Sequence, residues 1–135
     1  MALSFEFRQE RSDIFGTIHR PVAQVFFWNA TKKQWVEFWM VVDSGADYTL
    51  LPRYAADELG VSFESDCRIL GTRGVGGTEK VYFLPKIKVR IGDWERTIPV
   101  GFLERDEIPP LLGRQAFMET FETSFSRGHA VSFDC

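Results

Sequence analysis

The stretch FWMVVDSGADYTLL, residues 38–51, decides how this chain is expected to fold. An apolar run leads directly into Asp43, small residues follow it, and apolar character then resumes. Because an ionised carboxylate without partners is costly to desolvate, an acid at the end of a buried strand needs stabilising neighbours. Ser44 offers a hydroxyl group, Gly45 permits close backbone approach, and Ala46 leaves space. These residues predict a hydrogen-bonded turn that presents Asp43 into a cleft, although a plain surface turn would use the same residue types.

The composition limits the class of protein. With 135 residues and a hydrophobic fraction of 44%, the chain suits one core, and we expect a single domain over residues 1–135. Lys plus Arg number 16 and Asp plus Glu 19, so the net charge of −3 favours neither nucleic acid nor an anionic membrane as a partner. The longest apolar run is five residues, whereas a membrane-spanning helix needs about 20.

Cysteine and histidine are scarce. Only Cys67 and Cys135 could form a disulfide, so reduced thiols in a cytoplasm are the simplest interpretation. With His19, His129 and two distant cysteines, no zinc-type ligand spacing occurs, and we expect neither a metal nor a cofactor. The first eight residues, MALSFEFR, carry charges where a secretory signal needs an apolar run of about 7–15 residues. These features favour a cytoplasmic location.

Most of the sequence is predicted to form β-strands joined as antiparallel hairpins. Aromatic residues make up 15% of the chain, and β-branched or aromatic residues cluster in short runs bounded by Gly, Pro, Asn or Asp. Two short helices are expected, one over residues 53–59 between Pro52 and a capping Gly60, the other over residues 114–120 after Gly113. The predicted strands are residues 3–8, 15–19, 23–29, 35–42, 81–91, 95–102, 121–125 and 130–133.

Two more segments follow Asp43 in the sequence. The first is Gly74-Val75-Gly76-Gly77, whose glycines permit positive φ angles and a tight hairpin. It lacks the Lys-Ser/Thr pair and the following helix of a phosphate-binding loop, which leaves a plain surface hairpin as the alternative. The second is Leu111-Leu112-Gly113-Arg114, at the start of the second predicted helix.

With these three segments in this order, the sequence resembles the retropepsin-like aspartic proteases, the single-lobe relatives of pepsin. In that family an Asp-Ser/Thr-Gly-Ala segment carries the catalytic aspartate, a glycine-rich hairpin forms the flap over the substrate, and two hydrophobic residues with a glycine brace the catalytic loop. The matching segments here are residues 43–46, 74–77 and 111–113. The resemblance implies an all-β fold, a closed and partly orthogonal β-barrel with one or two short helices, and aspartic endopeptidase activity.

The resemblance also implies a role for Arg114. At the start of a helix a cation opposes the helix dipole by up to about 1 kcal/mol, so another interaction must favour it. The family pairs this arginine with the aspartate four positions beyond the catalytic one, which is Asp47 here. A bidentate pair would tie the helix to the catalytic loop while neutralising a partly buried acid. A solvated Arg114 is the alternative.

Hydrolysis by this family requires two carboxylates that share one proton. Because this chain has one Asp-Ser/Thr-Gly segment, the resemblance implies a homodimer in which Asp43 of each copy faces the other. Ser44 would then hydrogen-bond across the two-fold axis, and Gly45 would present its carbonyl to a peptide or protein substrate beneath the flap. The alternatives are a catalytically silent dimeric barrel that binds peptide or protein, and a carboxylate-pair glycosidase.

Two further patterns suggest other chemistry. Ser44 could act as a nucleophile if His19 or His129 lay beside it. The sequence Asn29-Ala-Thr31 matches an N-glycosylation acceptor, although without a secretory signal a chance match explains it better.

Overall fold

The computed structural model describes residues 2–74 and 77–135, and outside residues 72–78 it also describes their side chains. The α-helices are α1 (Arg53–Leu59) and α2 (Phe63–Asp66), and a 3₁₀ helix covers Met118–Thr120. No helix in this described part of the chain is both long and apolar enough to cross a membrane. The strands are β1 (Leu3–Glu6), β2 (Arg8–Ser12), β3 (Gly16–Arg20), β4 (Val22–Asn29), β5 (Gln34–Val42), β6 (Thr49–Leu51), β7 (Arg68–Gly74), β8 (Gly77–Ile91), β9 (Trp94–Leu103), β10 (Leu111–Leu112), β11 (Glu122–Phe125) and β12 (Ala130–Asp134).

Six of these strands close into a barrel. They pair in the order β4-β5-β10-β6-β9-β8, and β4 also pairs with β8, which completes the circle. β7 extends the sheet beyond β8. Most pairs are antiparallel as predicted, whereas β10 runs parallel to β5 and β6 runs parallel to β9. This mixed, closed barrel with two short α-helices confirms the predicted fold class.

The barrel interior is filled by apolar side chains. β4 shows the alternation most clearly, because Ala23, Val25 and Phe27 are completely buried while the residues between them are partly exposed. Burial of this apolar surface is the main force that holds the strands together. The other completely buried large side chains are Phe102, Phe117, Phe133, Met40, Leu51, Ile91, Ile98, Leu112, Val81 and Val89.

One predicted helix is present and the other is not. α1 ends as expected at Gly60, whose φ of 68° is the left-handed conformation of a glycine cap. Residues 114–120 instead form a turn followed by the 3₁₀ helix. The reason is Ala116, whose φ of 59° interrupts any α-helix through this segment. The second α-helix is α2, where the Ser62 hydroxyl accepts a hydrogen bond from the backbone N–H of Ser65.

The first predicted strand, residues 3–8, is divided between two sheets. β1 pairs with β12, which also pairs with β11, while β2 pairs with β3 in a separate two-stranded sheet. The break falls at Phe7, whose N–H donates to the carbonyl oxygen of His129. We refer to β2, β3 and the turn between them, residues 8–20, as the N-terminal hairpin.

Asn29 joins the β4–β5 loop to the end of α1. Its Oδ1 accepts hydrogen bonds from the N–H groups of Thr31 and Lys32, both at 3.0 Å, and its Nδ2 donates to the Glu58 carbonyl oxygen at 3.0 Å. The side chain is completely buried. The nitrogen that glycosylation would modify is therefore enclosed and engaged in the folded chain.

Because Asn29 is buried, replacing it should destabilise the fold while the exposed side chains stay the same. Asn29→Ala removes all three hydrogen bonds and leaves a buried space, so we expect the free energy of unfolding to fall by about 2–3 kcal/mol. Urea denaturation followed by tryptophan fluorescence measures this change. Gln34→Ala, at an exposed position of the β4–β5 hairpin, is the matched control. Equal stability of the two variants would contradict the stabilising role of the Asn29 hydrogen bonds.

Candidate active site

Asp43 lies where β5 leaves the barrel and enters a tight turn. Its Oδ1 accepts a hydrogen bond from the N–H of Gly45 at 3.0 Å, and its carbonyl oxygen accepts one from the N–H of Ala46 at 3.1 Å. A Cβ atom at position 45 would lie only 3.3 Å from Oδ1, so glycine suits this turn. Among the described residues, Oδ2 of Asp43 has no hydrogen-bond partner. The turn thus orients a half-buried carboxylate and leaves one oxygen available.

The two-residue strand β10 holds this turn in place. Leu111 pairs with Val41 of β5 on one side and with Leu50 of β6 on the other. The carbonyl oxygen of Leu112 accepts a hydrogen bond from the backbone N–H of Asp43 at 3.0 Å. Because Leu112 is completely buried, β10 anchors both ends of the Asp43 turn to the barrel core.

At Gly113 the chain that follows β10 lies against the backbone of Tyr48 and Thr49. Its N–H donates to the hydroxyl of buried Thr49 at 3.1 Å. A Cβ atom at position 113 would lie 2.3 Å from the Tyr48 carbonyl carbon, well below the 3.0 Å that real Cβ atoms respect. Only glycine fits here without moving backbone. Thr49 is not identified from the sequence. The only signal for it there is a hydroxyl side chain among apolar residues.

Arg114 and Asp47 form an ion pair, with Arg114 Nη2 at 2.5 Å from Asp47 Oδ1. The expectation of a partly buried acid was wrong, because the Asp47 side chain lies in the loop after β5 and is 83% exposed. Exposed pairs contribute about 0.2–1 kcal/mol. The backbone adds two hydrogen bonds, from Arg114 N–H to the Ala46 carbonyl at 3.0 Å and from Gln115 N–H to the Asp47 carbonyl at 2.8 Å. The attachment therefore depends mainly on backbone contacts.

A cleft of about 180 Å³ borders this loop. Its two carboxylates are both paired, Asp47 with Arg114 and Glu79 with Arg105 at 2.8 Å. Burial, with the nearby charge of Asp47, raises the pKa of the Tyr48 phenol above its ordinary value. The remaining lining is apolar, so the cleft suits an apolar group. The cleft is lined by Ala46, Asp47, Tyr48, Leu50, Glu79, Val81 and Leu103.

The hairpin of β7 and β8 stands beside this cleft through Glu79 and Val81. Its register continues to Gly74, which lies opposite Gly77. Of the four residues predicted to form the flap, Val75 and Gly76 lie outside the described residues. The structure thus has the hairpin in the expected place, and its action as a flap stays a prediction.

Other candidate nucleophiles are not assembled into sites. His19 and His129 stack on each other with 3.9 Å between ring centroids, and within the described residues neither contacts Ser44. Cys67 is half-buried, and desolvation, with the nearby charge of Asp66, raises the pKa of its thiol to about 11. A thiol with that pKa stays protonated at neutral pH and is a poor nucleophile.

The carboxylate turn, the bracing strand and the adjacent hairpin on a closed barrel define an aspartic protease fold. Residues 30–116, about two thirds of the chain, match the family model described as "Aspartyl protease". The chain therefore belongs to the aspartyl protease family. The match contains Asp43, the 74–77 segment and the bracing segment 111–113, and it excludes the N-terminal hairpin.

The structure is similar to a crystal structure of a retropepsin-like aspartic protease from Rickettsia conorii. The TM-score is 0.67, 98% of each chain is covered, and sequence identity is 17%. At this identity the similarity shows the fold alone. Together with the family match it confirms the predicted retropepsin-like family. No protein with a curated description matches this sequence.

Substitution of Gly113 tests the brace. Gly113→Ala must push the 111–115 segment away from Tyr48, so we expect a loss of stability of about 3 kcal/mol or more and loss of any activity at Asp43. Thermal unfolding and a peptide-cleavage assay measure the two effects. Gly128→Ala is the matched control, since the nearest atom to its added Cβ is 3.9 Å away. A stable and active Gly113→Ala protein would overturn this role.

Proposed function

We propose that the chain is a homodimeric aspartic endopeptidase in which the Asp43 carboxylates of two copies activate one water molecule. The observation that carries the proposal is the Asp43 turn itself. One carboxylate oxygen is fixed by the Gly45 N–H, the other has no partner among the described residues, and the turn is braced by β10. Such fixed geometry is what proton transfer to a bound substrate requires.

A second copy is needed to complete the pair of carboxylates. Asp47, the nearest acid along the chain, is engaged by Arg114 and so is a poor partner for Asp43. Ser44 and Gly45 are exposed at the outside of the turn, where another molecule can approach them. In a two-fold dimer the same turn from each copy would meet at the axis, with Ser44 hydrogen-bonding across it.

The proposed reaction starts with one shared proton on the two carboxylates. The ionised Asp43 takes a proton from water as the water oxygen attacks the peptide carbonyl carbon, while the protonated Asp43 donates its proton to the carbonyl oxygen. Collapse of the resulting diol breaks the C–N bond as the nitrogen receives a proton, releasing an amine and a carboxylic acid. Because two close carboxylates do not ionise together readily, the pair titrates in two coupled steps.

The substrate is an extended peptide that lies between the Asp43 turn and the β7–β8 hairpin. Such a ligand binds through its main chain and places alternate side chains in pockets. The cleft beside Asp47 offers one pocket, whose walls include Leu50, Val81 and Leu103. We expect this pocket to accept an apolar side chain.

Substitution of Asp43 tests the proposal. Asp43→Asn keeps the shape and the hydrogen bond from Gly45 but removes the proton acceptor, so peptide cleavage should fall by about 10²–10⁴-fold or more with little change in thermal stability. Digestion of a peptide library, read by mass spectrometry, measures cleavage and its sequence preference. Asp57→Asn, on α1, is the matched control and should be as active as the wild type.

Two results would contradict the proposal. Undiminished cleavage by Asp43→Asn would show that another group performs the chemistry. A wild-type dimer that binds library peptides without cutting them would favour the catalytically silent barrel.

A further inference from the structure

The N-terminal hairpin is built as a separate unit outside the barrel. Its two strands pair only with each other within the described residues, starting with Arg8 opposite Arg20. At its tip the Ser12 hydroxyl accepts hydrogen bonds from the N–H groups of Ile14 and Phe15, at 3.3 and 3.2 Å. A two-stranded hairpin is at best marginally stable alone in water, so its persistence depends on contacts with other parts of the protein.

The base of the hairpin is held by charged and aromatic contacts. Glu10 accepts from Arg20 Nε at 2.8 Å and pairs with Arg8 Nη2 at 2.7 Å. These hydrogen bonds, from Arg20 first and then Arg8, lower the pKa of the Glu10 carboxyl. His19 stacks on His129, which belongs to the β11–β12 turn, with the two rings only 11° from parallel. The base is thereby fixed against the C-terminal sheet.

The tip carries two large apolar side chains that are mostly exposed to solvent. Ile14 is 84% exposed and Phe15 is 76% exposed, the two highest values for large hydrophobic residues in the described part of the chain. Single exposed apolar residues are ordinary on protein surfaces, whereas contiguous exposed apolar surface is typical of interaction sites. The tip is thus suited to bury both side chains against another surface.

The root of the hairpin lies beside the active-site turn. The carbonyl oxygen of Pro21, directly after β3, accepts a hydrogen bond from the N–H of Val42 at 2.9 Å. Val42 immediately precedes Asp43. In a dimer that brings two Asp43 turns together, both hairpins are rooted close to the two-fold axis and therefore close to the other copy.

We propose that the N-terminal hairpin is a dimerisation arm whose tip, Ile14 and Phe15, is buried against a second copy of the chain. The inference rests on the proposed function, because the shared Asp43 site is what places the hairpin root at the axis. In a two-fold dimer each copy contributes one arm and receives the other, so both tips are buried equivalently. The arm would control assembly of the active site without touching the substrate.

Photo-cross-linking tests the contact directly. Phe15→p-benzoylphenylalanine should give a covalent dimer of the full chain after irradiation. Tyr54→p-benzoylphenylalanine, at an exposed position on α1 that is 39% accessible, is the matched control and should remain monomeric on a denaturing gel. Absence of a covalent dimer from position 15, in a protein that sediments as a dimer, would overturn the proposal.

Sedimentation of polar variants measures the strength of the contact. The double substitution Ile14→Ser and Phe15→Ser should raise the dimer dissociation constant by on the order of 10- to 100-fold, whereas Tyr54→Ser should leave it unchanged. Above the new dissociation constant, cleavage per dimer should equal that of the wild type. The double variant should also keep the wild-type melting temperature when both are measured as monomers.

The possible failures are distinguishable. A wild type that dimerises and cleaves, with a dissociation constant insensitive to the double substitution, overturns the arm and leaves the proposed function intact. A wild type that dimerises through the arm but does not cleave overturns the proposed function alone. A wild type that is monomeric at every concentration overturns the arm, and its cleavage activity then decides whether one copy is sufficient.

Discussion

The contact between β10 and the Asp43 turn is the constraint on which the rest of the structure depends. β10 lies between β5 and β6, and the carbonyl oxygen of Leu112 accepts a hydrogen bond from the backbone N–H of Asp43. Directly after β10, the Gly113 N–H donates to the hydroxyl of buried Thr49. One of these hydrogen bonds joins backbone atoms and the other is buried. Breaking either one therefore lowers the stability of the fold, and salt affects both only weakly. The exposed Arg114–Asp47 pair adds orientation, whereas most of the stability of the site comes from the backbone.

In this arrangement the base of the Asp43 turn is held rigidly, whereas its outer end is accessible. The strands that lead into the turn are closed into a barrel around completely buried side chains, while Ser44 and Gly45 at its outer end remain exposed. In the homodimer that we propose, one chain supplies half of a two-carboxylate site, and the exposed side of its turn faces the second copy. The N-terminal hairpin joins the barrel at Pro21, beside the same turn, and in our proposal it stabilises this dimer.

The sequence predicts the Asp43 turn and the long strands better than the short strands between them. The Asp43 turn is predicted from turn-forming residues after an apolar run, and the role of residues 111–113 follows only from the family resemblance. The long strands β4, β5, β8 and β9 follow from sustained apolar patterns. β6 and β10 were missed because runs of three and two residues carry no periodicity. The helix predicted over residues 114–120 is absent because Ala116 adopts a positive φ, which helix propensity does not report.

Mixing wild-type chains with Asp43→Asn chains tests the central claim most directly. If each active site needs Asp43 from both copies, equal amounts after subunit exchange leave about a quarter of the dimers with two aspartates, by random pairing. Cleavage per wild-type chain should then fall to about half and approach zero as the Asp43→Asn chain is added in excess. Cleavage per wild-type chain that stays constant at every mixing ratio would contradict a site shared between two copies.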